Sequence, residues 1–250
     1  MNIRFDGVRV VVAGGSRGIG RSIALGFAQA GANVSICARG ADGLAAAEAE
    51  IARHARTHHA ATCDLADAGA IARYVPDAAA ALGGIDVLVN NASGFGWGDD
   101  DASWEAVTSV DVMGTVRASR AALPYLERSK AGAIINISSI SGFRASIRSS
   151  AYAAAKAALI NYTSSQAAAL APKGIRVNCV APGSIEFPGG VWDRRKTENP
   201  DLYNRTLAGV PFGRFGAPEE VANVVLFLAS PLAQWVTGQS IAVDGGQLLS

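Results

Sequence analysis

Seven short, almost unbroken apolar runs recur along this chain, and they leave it few folds to choose from. Val8-Arg9-Val10-Val11-Val12-Ala13 and Ile85-Asp86-Val87-Leu88-Val89 are two of them. A strand with one wet face alternates apolar and polar residues, whereas a continuous run belongs to a strand covered on both faces. The runs lie at 8–13, 33–38, 59–63, 85–90, 133–138, 175–180 and 240–243. Stretches with helical pattern separate them, at 18–30, 42–56, 67–82, 104–128, 150–171 and 218–229. Strands and helices in this alternation imply an α/β fold, a doubly wound parallel sheet of seven strands with helices on both faces. The many alanines of the helical stretches reflect helix propensity and close packing. The 250 residues contain no linker, so one domain over 1–250 is expected, with a substrate loop at about 184–213.

Composition removes several classes of function. A net charge of +1 offers no footprint for nucleic acid or an anionic membrane. No run approaches the roughly 20 apolar residues of a bilayer span, and Met1 to Asp6 contains no apolar core of a signal peptide. A cytoplasmic protein is expected. Cys37, Cys63 and Cys179 are odd in number and far apart, so they read as small buried hydrophobes rather than a disulfide framework or a zinc site.

The first run passes directly into Gly14-Gly15-Ser16-Arg17-Gly18-Ile19-Gly20 and then an apolar helix. Glycines allow a tight turn and a close backbone approach to a pyrophosphate, whose charge then meets a helix N-terminus. Strand, loop and helix in this order mark a Rossmann-type dinucleotide cradle. The spacing Gly-x3-Gly-x-Gly resembles that of the short-chain dehydrogenase/reductase family, and the resemblance runs to the C-terminus. The family's usual Thr before the first glycine is Ala13 here, which removes one hydroxyl bracing the turn.

Cofactor choice is a matter of charge. An acidic residue at the end of the second strand would bind a ribose 2′-hydroxyl and repel a 2′-phosphate. The position where relatives using NAD carry Asp is Ala38, and Arg39 follows. Arg39, with Arg17 on the other side, can fork onto a phosphate. NADP(H) is therefore the expected cofactor. The resemblance further implies adenosine contacts at Asp64, Asn91 and Ala92, with Asn90 tying neighbouring strands; Ser93 replaces the family's glycine. Pro182, Gly183 and Ile185 match the segment that passes the nicotinamide, and Phe187 replaces its usual Thr.

Tyr152 and Lys156 lie four residues apart in a helical stretch and so share a face. Ser139 precedes Tyr152 by thirteen residues at the end of an apolar strand. Asn-x-Ser-Ser-x-x-Gly followed by Tyr-x3-Lys is the family's catalytic setting. Reduction of a carbonyl leaves an oxyanion that must receive a proton as it forms. A phenol of pKa about 10 holds its proton too tightly, and an adjacent ammonium lowers that value. The resemblance assigns Tyr152 as general acid and base, Ser139 as the group fixing the substrate oxygen, and Lys156 as ligand to the nicotinamide ribose. It places Asp111, seven residues after Trp104, where the family has a fourth catalytic residue, an Asn acting through its backbone carbonyl at a helix kink.

These readings imply an oxidoreductase for a small carbonyl or alcohol, similar to 3-oxoacyl-carrier-protein reductases. An NAD-linked alcohol dehydrogenase and a non-catalytic NADP-binding protein are the alternatives. A dehalogenating lyase would lack Lys156 and the glycine loop, and an enoyl reductase would need its Lys at position 159, which is Leu159. Gly238 to Gly246 matches a segment that supports homotetramers in relatives. His54 and His58 share a helical face without an acidic or Cys partner, so no metal is expected. Asp99, Asp100 and Asp101 are expected to cap the next helix, and Arg194, Arg195 and Lys196 to form an exposed helix face. Phe95 and Trp97 suggest an apolar pocket wall.

Overall fold

A computed structural model describes residues 3–250. The strands are β1 Arg9–Ala13, β2 Asn33–Ala38, β3 His58–Thr62, β4 Val87–Asn90, β5 Ala133–Ile137, β6 Arg176–Pro182 and β7 Ser240–Val243. All pairings are parallel, in the order β3-β2-β1-β4-β5-β6-β7. The chain is thus doubly wound, with its reversal of direction between β1 and β4.

Alternate strand residues feed two cores. Val10, Val12, Val34, Ile36, Val89 and Ile135 pack under α1 Gly18–Gln29, α2 Ala41–Ile51 and α9 Pro218–Ala229. Val11, Cys37, Leu88, Ile134 and Val177 pack under α3 Ala68–Leu82, α5 Thr115–Leu126 and α6 Ser150–Leu170. Both faces of the central strands are dry, which is why those strands read as unbroken apolar runs, while the edge strands β3 and β7 are only partly buried. The three cysteines are free and buried among these side chains.

Three expectations need correction. The helix read over 104–128 is interrupted: α4 Asp101–Val107 leads into a π-helical segment, Thr108–Gly114, and only then into α5. Its start is set by Asp100, which accepts from the Ser103 N–H at 2.9 Å. The stretch read as a loop over 184–213 holds two helices, α7 Val191–Glu198 and α8 Pro200–Ala208. Alpha-7 has no buried residue, hence no apolar stripe to reveal it. Pro200 and the Asn199 cap, accepting from Leu202 N–H, are the local signals that were present for α8. Finally, α2 ends at Ile51, so His54 and His58 do not share a helical face. His58 and His59 lie in β3, where the His59 ring meets the Ser35 hydroxyl at 2.9 Å.

At the amino ends of the strands, Arg9 and Asp86 clamp β1 to the chain entering β4. Arg9 donates to Asp86 through its backbone N–H, Nε and Nη2 at 2.9, 2.7 and 2.6 Å, and Ser129 adds a bond of 2.6 Å. Burial pushes the Asp86 carboxyl up, but these donors together hold it below its ordinary value. Asp86→Asn is expected to destabilise the protein by about 2–4 kcal/mol without changing the site at the opposite edge. Because the folded-state pKa is depressed, this contribution is complete above about pH 3.9 and is lost as the pH falls further. Urea unfolding of both proteins at neutral and acid pH reads the difference; equal stability at neutral pH would contradict the clamp.

Candidate active site

The loop after β1 lies against the end of β4. Asn91 and Ala92 both donate backbone N–H groups to Ala13 O at 3.0 Å, and the Asn91 amide donates to Gly14 O at 2.8 Å. A Cβ on Gly14, whose φ is +90°, would sit 2.9 Å from Ala92, so only glycine fits. Gly20 is packed equally tightly, its missing Cβ pointing at Gly14 O and Asn91. Arg17 is the N-cap of α1 and makes no side-chain cap, which leaves the first-turn N–H groups of Gly18, Ile19 and Gly20 for an anion. Ser16 and Ile19 line the same turn, half-buried.

Arg17 and Arg39 are exposed at the two sides of this cradle, and neither guanidinium has a protein partner among the described residues. Asp64 lies at the end of β3, where its carboxylate accepts from Ala66 N–H at 3.0 Å. The cap of α3 is Asp67 instead, accepting from Gly69 N–H at 2.7 Å.

Ser139, Tyr152 and Lys156 come from β5 and α6, which are bound directly to each other. Ser138 donates its hydroxyl to Lys156 O at 2.7 Å, and the Lys156 ammonium donates to Ile137 O at 3.1 Å. A Cβ on Gly142 would be 2.8 Å from the Lys156 carbonyl carbon, so the turn after β5 presses on α6. Ser139 opens that turn, its hydroxyl accepting from Ser141 N–H at 3.1 Å. Deeper in the sheet, Asn90 donates to Asn136 at 2.9 Å and to Ser119 at 3.1 Å, and Asn136 donates to Thr163 at 3.0 Å. This chain of amides ties β4 to β5 and to α6. Asn136 and Ser138 stand in the Asn-x-Ser-Ser-x-x-Gly motif, but their partners, and Thr163 altogether, carried no signal in the sequence, because these contacts depend on which atoms the fold brings near.

Lys156 occupies the buried stripe of α6, along with Leu159, Thr163, Ala167 and Leu170. Its ammonium is 2.8 Å from Asp111 Oδ1, with the two side chains 2% and 0% exposed. It also lies 5.4 Å from the centre of the Tyr152 ring. Burial pulls the Lys156 pKa down, but Asp111 and Tyr152 outweigh it, and the net direction is up. Asp111 stands in the π-helical segment, and its Oδ2 accepts from Gly94 N–H at 2.7 Å. The expected place of Asp111 at a helix irregularity is thus what the chain has; the carboxylate contacts are additional.

Past β6, Gly183 N–H donates to Val243 O at 2.9 Å, and a Cβ on Gly183 would be 2.7 Å from Asp244 Cβ. Gln247 accepts from Ser184 N–H at 3.0 Å and donates to the Ser184 hydroxyl at 3.1 Å. Pro182 ends β6, and Ile185, buried, bridges to Gly216. Gln247 was not evident in the sequence, being 63 residues from its partner. The Phe187 ring lies against Gly18, directly over the glycine loop. Trp97 packs beside Tyr152 with ring centres 5.1 Å apart, and Phe95 is 5.8 Å from Trp97. Further along the segment after β6, Trp192 and Tyr203 pack on Phe215, and the Tyr203 hydroxyl donates to Glu186 at 3.1 Å. Lys196 pairs with Glu186 at 3.6 Å, and Arg194 donates to Gly189 O at 3.0 Å. Among the described residues no group of three or more His, Cys, Asp or Glu could hold a metal, and no helix is long and apolar enough to cross a membrane.

Comparison with known proteins agrees with this arrangement. The family model described as enoyl-(acyl carrier protein) reductase matches residues 13–247. Isoepoxydon dehydrogenase of Penicillium expansum is 39% identical over 249 residues, 96% of this chain and 94% of that protein. The 3-oxoacyl-(acyl-carrier-protein) reductase of Chlamydia trachomatis is 39% identical over 241 residues, 94% of this chain and 95% of its own length. An NADPH-bound short-chain oxidoreductase from Pseudomonas aeruginosa PAO1, containing an atypical catalytic center, superposes with a TM-score of 0.87 at 35% identity over 97% of this chain and 98% of that one. With its parallel sheet, glycine cradle and Ser139, Tyr152 and Lys156 held at one strand edge, the chain belongs to the short-chain dehydrogenase/reductase family of nicotinamide-dependent oxidoreductases.

Proposed function

We propose that the protein is an NADP(H)-preferring reductase and dehydrogenase of ketones and secondary alcohols, similar to 3-oxoacyl reductases. It would act as one catalytic domain over 1–250 in a cytoplasmic homotetramer. The observation that carries the reading is the pair Tyr152 and Lys156, with the ammonium buried beside the phenol ring. The free first turn of α1 and the unpaired Arg17 and Arg39 fit a dinucleotide with a 2′-phosphate. Glycines 14, 18 and 20, Ser16 and Ile19 would hold the pyrophosphate. Asp64, Asn91 and Ala92 would hold the adenosine, and Lys156, Pro182, Gly183 and Ile185 the nicotinamide riboside. When bound, the nicotinamide supplies or accepts the hydride.

The chain's own residues handle the proton. The Tyr152 hydroxyl gives its proton to the carbonyl oxygen as negative charge develops there, and takes it back in the reverse direction. Lys156 stabilises the phenolate left behind. Ser139 donates a hydrogen bond to the same substrate oxygen and holds it in line. Trp97 beside the Tyr152 ring, with Phe95 next to it, would give the pocket an apolar wall and favour an apolar substrate body. The Tyr-x3-Lys spacing supports carbonyl rather than enoyl chemistry, whatever the description of the matching family model. Exposed Trp235, Leu249 and Phe212 are consistent with burial between subunits.

Titration with NADPH and NADH, followed by tryptophan quenching, tests the cofactor assignment. NADPH is expected to bind at least about tenfold more tightly, and Arg39→Ala to remove most of that preference. Tighter NADH would overturn the charge argument and favour an NAD-linked alcohol dehydrogenase. Tyr152→Phe is expected to lower kcat for NADPH-dependent ketone reduction by about 100-fold or more while leaving cofactor binding intact; equal turnover would remove Tyr152 from the mechanism. Phe187→Thr uncovers the glycine loop and restores a hydroxyl there, so it is expected to tighten NADPH binding by about threefold to tenfold. Weaker binding would show that the ring supports the cofactor rather than competing with it.

A further inference from the structure

Asp111 lies between two hydrogen-bond donors. One carboxylate oxygen faces the Lys156 ammonium at 2.8 Å, and the other accepts the Gly94 N–H at 2.7 Å. Both neighbours can only donate. A carboxylate suits both: Oδ2 takes the Gly94 hydrogen bond, and Oδ1 pairs with the ammonium by charge at 2.8 Å. The amide of an asparagine would turn its NH2 toward one of them, setting donor against donor. The acidic residue at this position is therefore matched to the two groups that contact it.

Gly94 begins the segment that carries the aromatic wall, and that segment has little freedom. A Cβ on Gly94 would fall 2.6 Å from the Ala106 carbonyl carbon, and one on Gly96 would fall 2.8 Å from that of Ser103. Phe95 between them has φ +52° in the left-handed region, an uncommon conformation for a bulky residue. Ser93 accepts from Phe95 N–H at 3.2 Å, and Ser103 accepts from Gly98 N–H at 3.1 Å. The segment is thus pinned at both ends onto α4 and the π-helical turn, and Trp97 emerges from it 5.1 Å from the Tyr152 ring.

We propose that Asp111 is a positioning residue that couples the aromatic substrate wall, through Gly94, to the cofactor-binding lysine. This rests on the reading of Tyr152 and Lys156 as the catalytic pair. Asp111 acts through its neighbours: one oxygen keeps Lys156 an ammonium in a dry site, and the other fixes the loop that sets Trp97 against Tyr152. The groups facing Lys156 are Asp111 from the π-helical turn, Tyr152 on its own helix, Ile137 O from β5 and Cys179 from β6. Asp111 is the one carboxylate among them, and its charge is the largest effect opposing the burial of the ammonium.

Asp111→Asn separates this role from simple packing. Without the carboxylate, Lys156 should lose its proton more easily, and activity should fall off at alkaline pH about one unit earlier than in the unaltered enzyme. KM for a ketone should rise by about threefold or more as the loop loosens, beyond any change in kcat. An unchanged alkaline limb, or an unchanged KM, would overturn the coupling. Hydrogen exchange on the unaltered protein is the second measurement and needs neither activity nor a folded variant. The Gly94 amide should exchange at least about tenfold more slowly than the amides of Gly96 and Trp97. Equal exchange at the three positions overturns the proposal. Slow exchange at Gly94 in a protein that reduces no ketone would instead count against the catalytic reading while leaving the Asp111 contact in place.

Discussion

Parallel strand pairing imposes the geometry on which everything else here depends. Each strand must be followed by a crossover that returns the chain to the opposite edge, so every strand ends on the same side of the sheet. Ala13, Ala38, Asn90, Ile137 and Pro182 therefore stand in one row, although they are spread over most of the sequence. Because the strand order reverses between β1 and β4, the crossovers on the two sides diverge and leave a crevice between them. The glycine loop and the Asn91-Ala92 segment meet at that crevice through the two bonds to Ala13 O. The crevice is thus bordered by residues from five strand ends.

The same geometry explains how a lysine can be buried. Lys156 falls in the stripe of α6 that faces the sheet, a position where its neighbours are Leu159, Thr163 and alanines. Removing an ammonium from water costs several kcal/mol, and that cost must be met by close partners. Here they are the Asp111 carboxylate and the Ile137 carbonyl, at 2.8 and 3.1 Å. Ile137 O is available because β5 ends at that residue, so its carbonyl is released from the ladder where the helix passes. Asp111 is available because the π-helical turn carries it inward from between α4 and α5. A buried pair of this kind is weak evidence for stability. Its value lies in fixing one charged group beside Tyr152 with little freedom to move.

Much of this was legible in the residues. Runs such as 8–13 and 133–138 show period-free apolarity, and their alternation with helical stretches leaves few architectures. The glycine spacing and the pair Tyr152 and Lys156 depend on local offsets, which a linear sequence records directly. Within 184–213, α7 presents no buried face, so only its charged run Arg194-Arg195-Lys196 read as helical, and α8 was marked only by Asn199 and Pro200. The interruption of the helix around Asp111 is absent from the apolar pattern of 104–128, and only the family resemblance implied a kink there. A π-helical turn carries no local residue signature, and only the packing of Gly94 and Lys156 on either side of Asp111 shows what it accomplishes.

The sequence by itself determined the class of fold, the family, and the positions of the glycine loop and of the Ser139, Tyr152 and Lys156 motif, because each rests on short-range spacing or on apolar periodicity. Tertiary structure alone decided the contacts between distant segments: Gln247 on Ser184, Phe187 on Gly18, Ser138 on the Lys156 carbonyl, and Asp111 between Gly94 and Lys156. The physical reason is that hydrogen bonds and ion pairs extend only about 3 Å. Which donors and acceptors come that close is set by how the crossovers pack, and no local spacing encodes it.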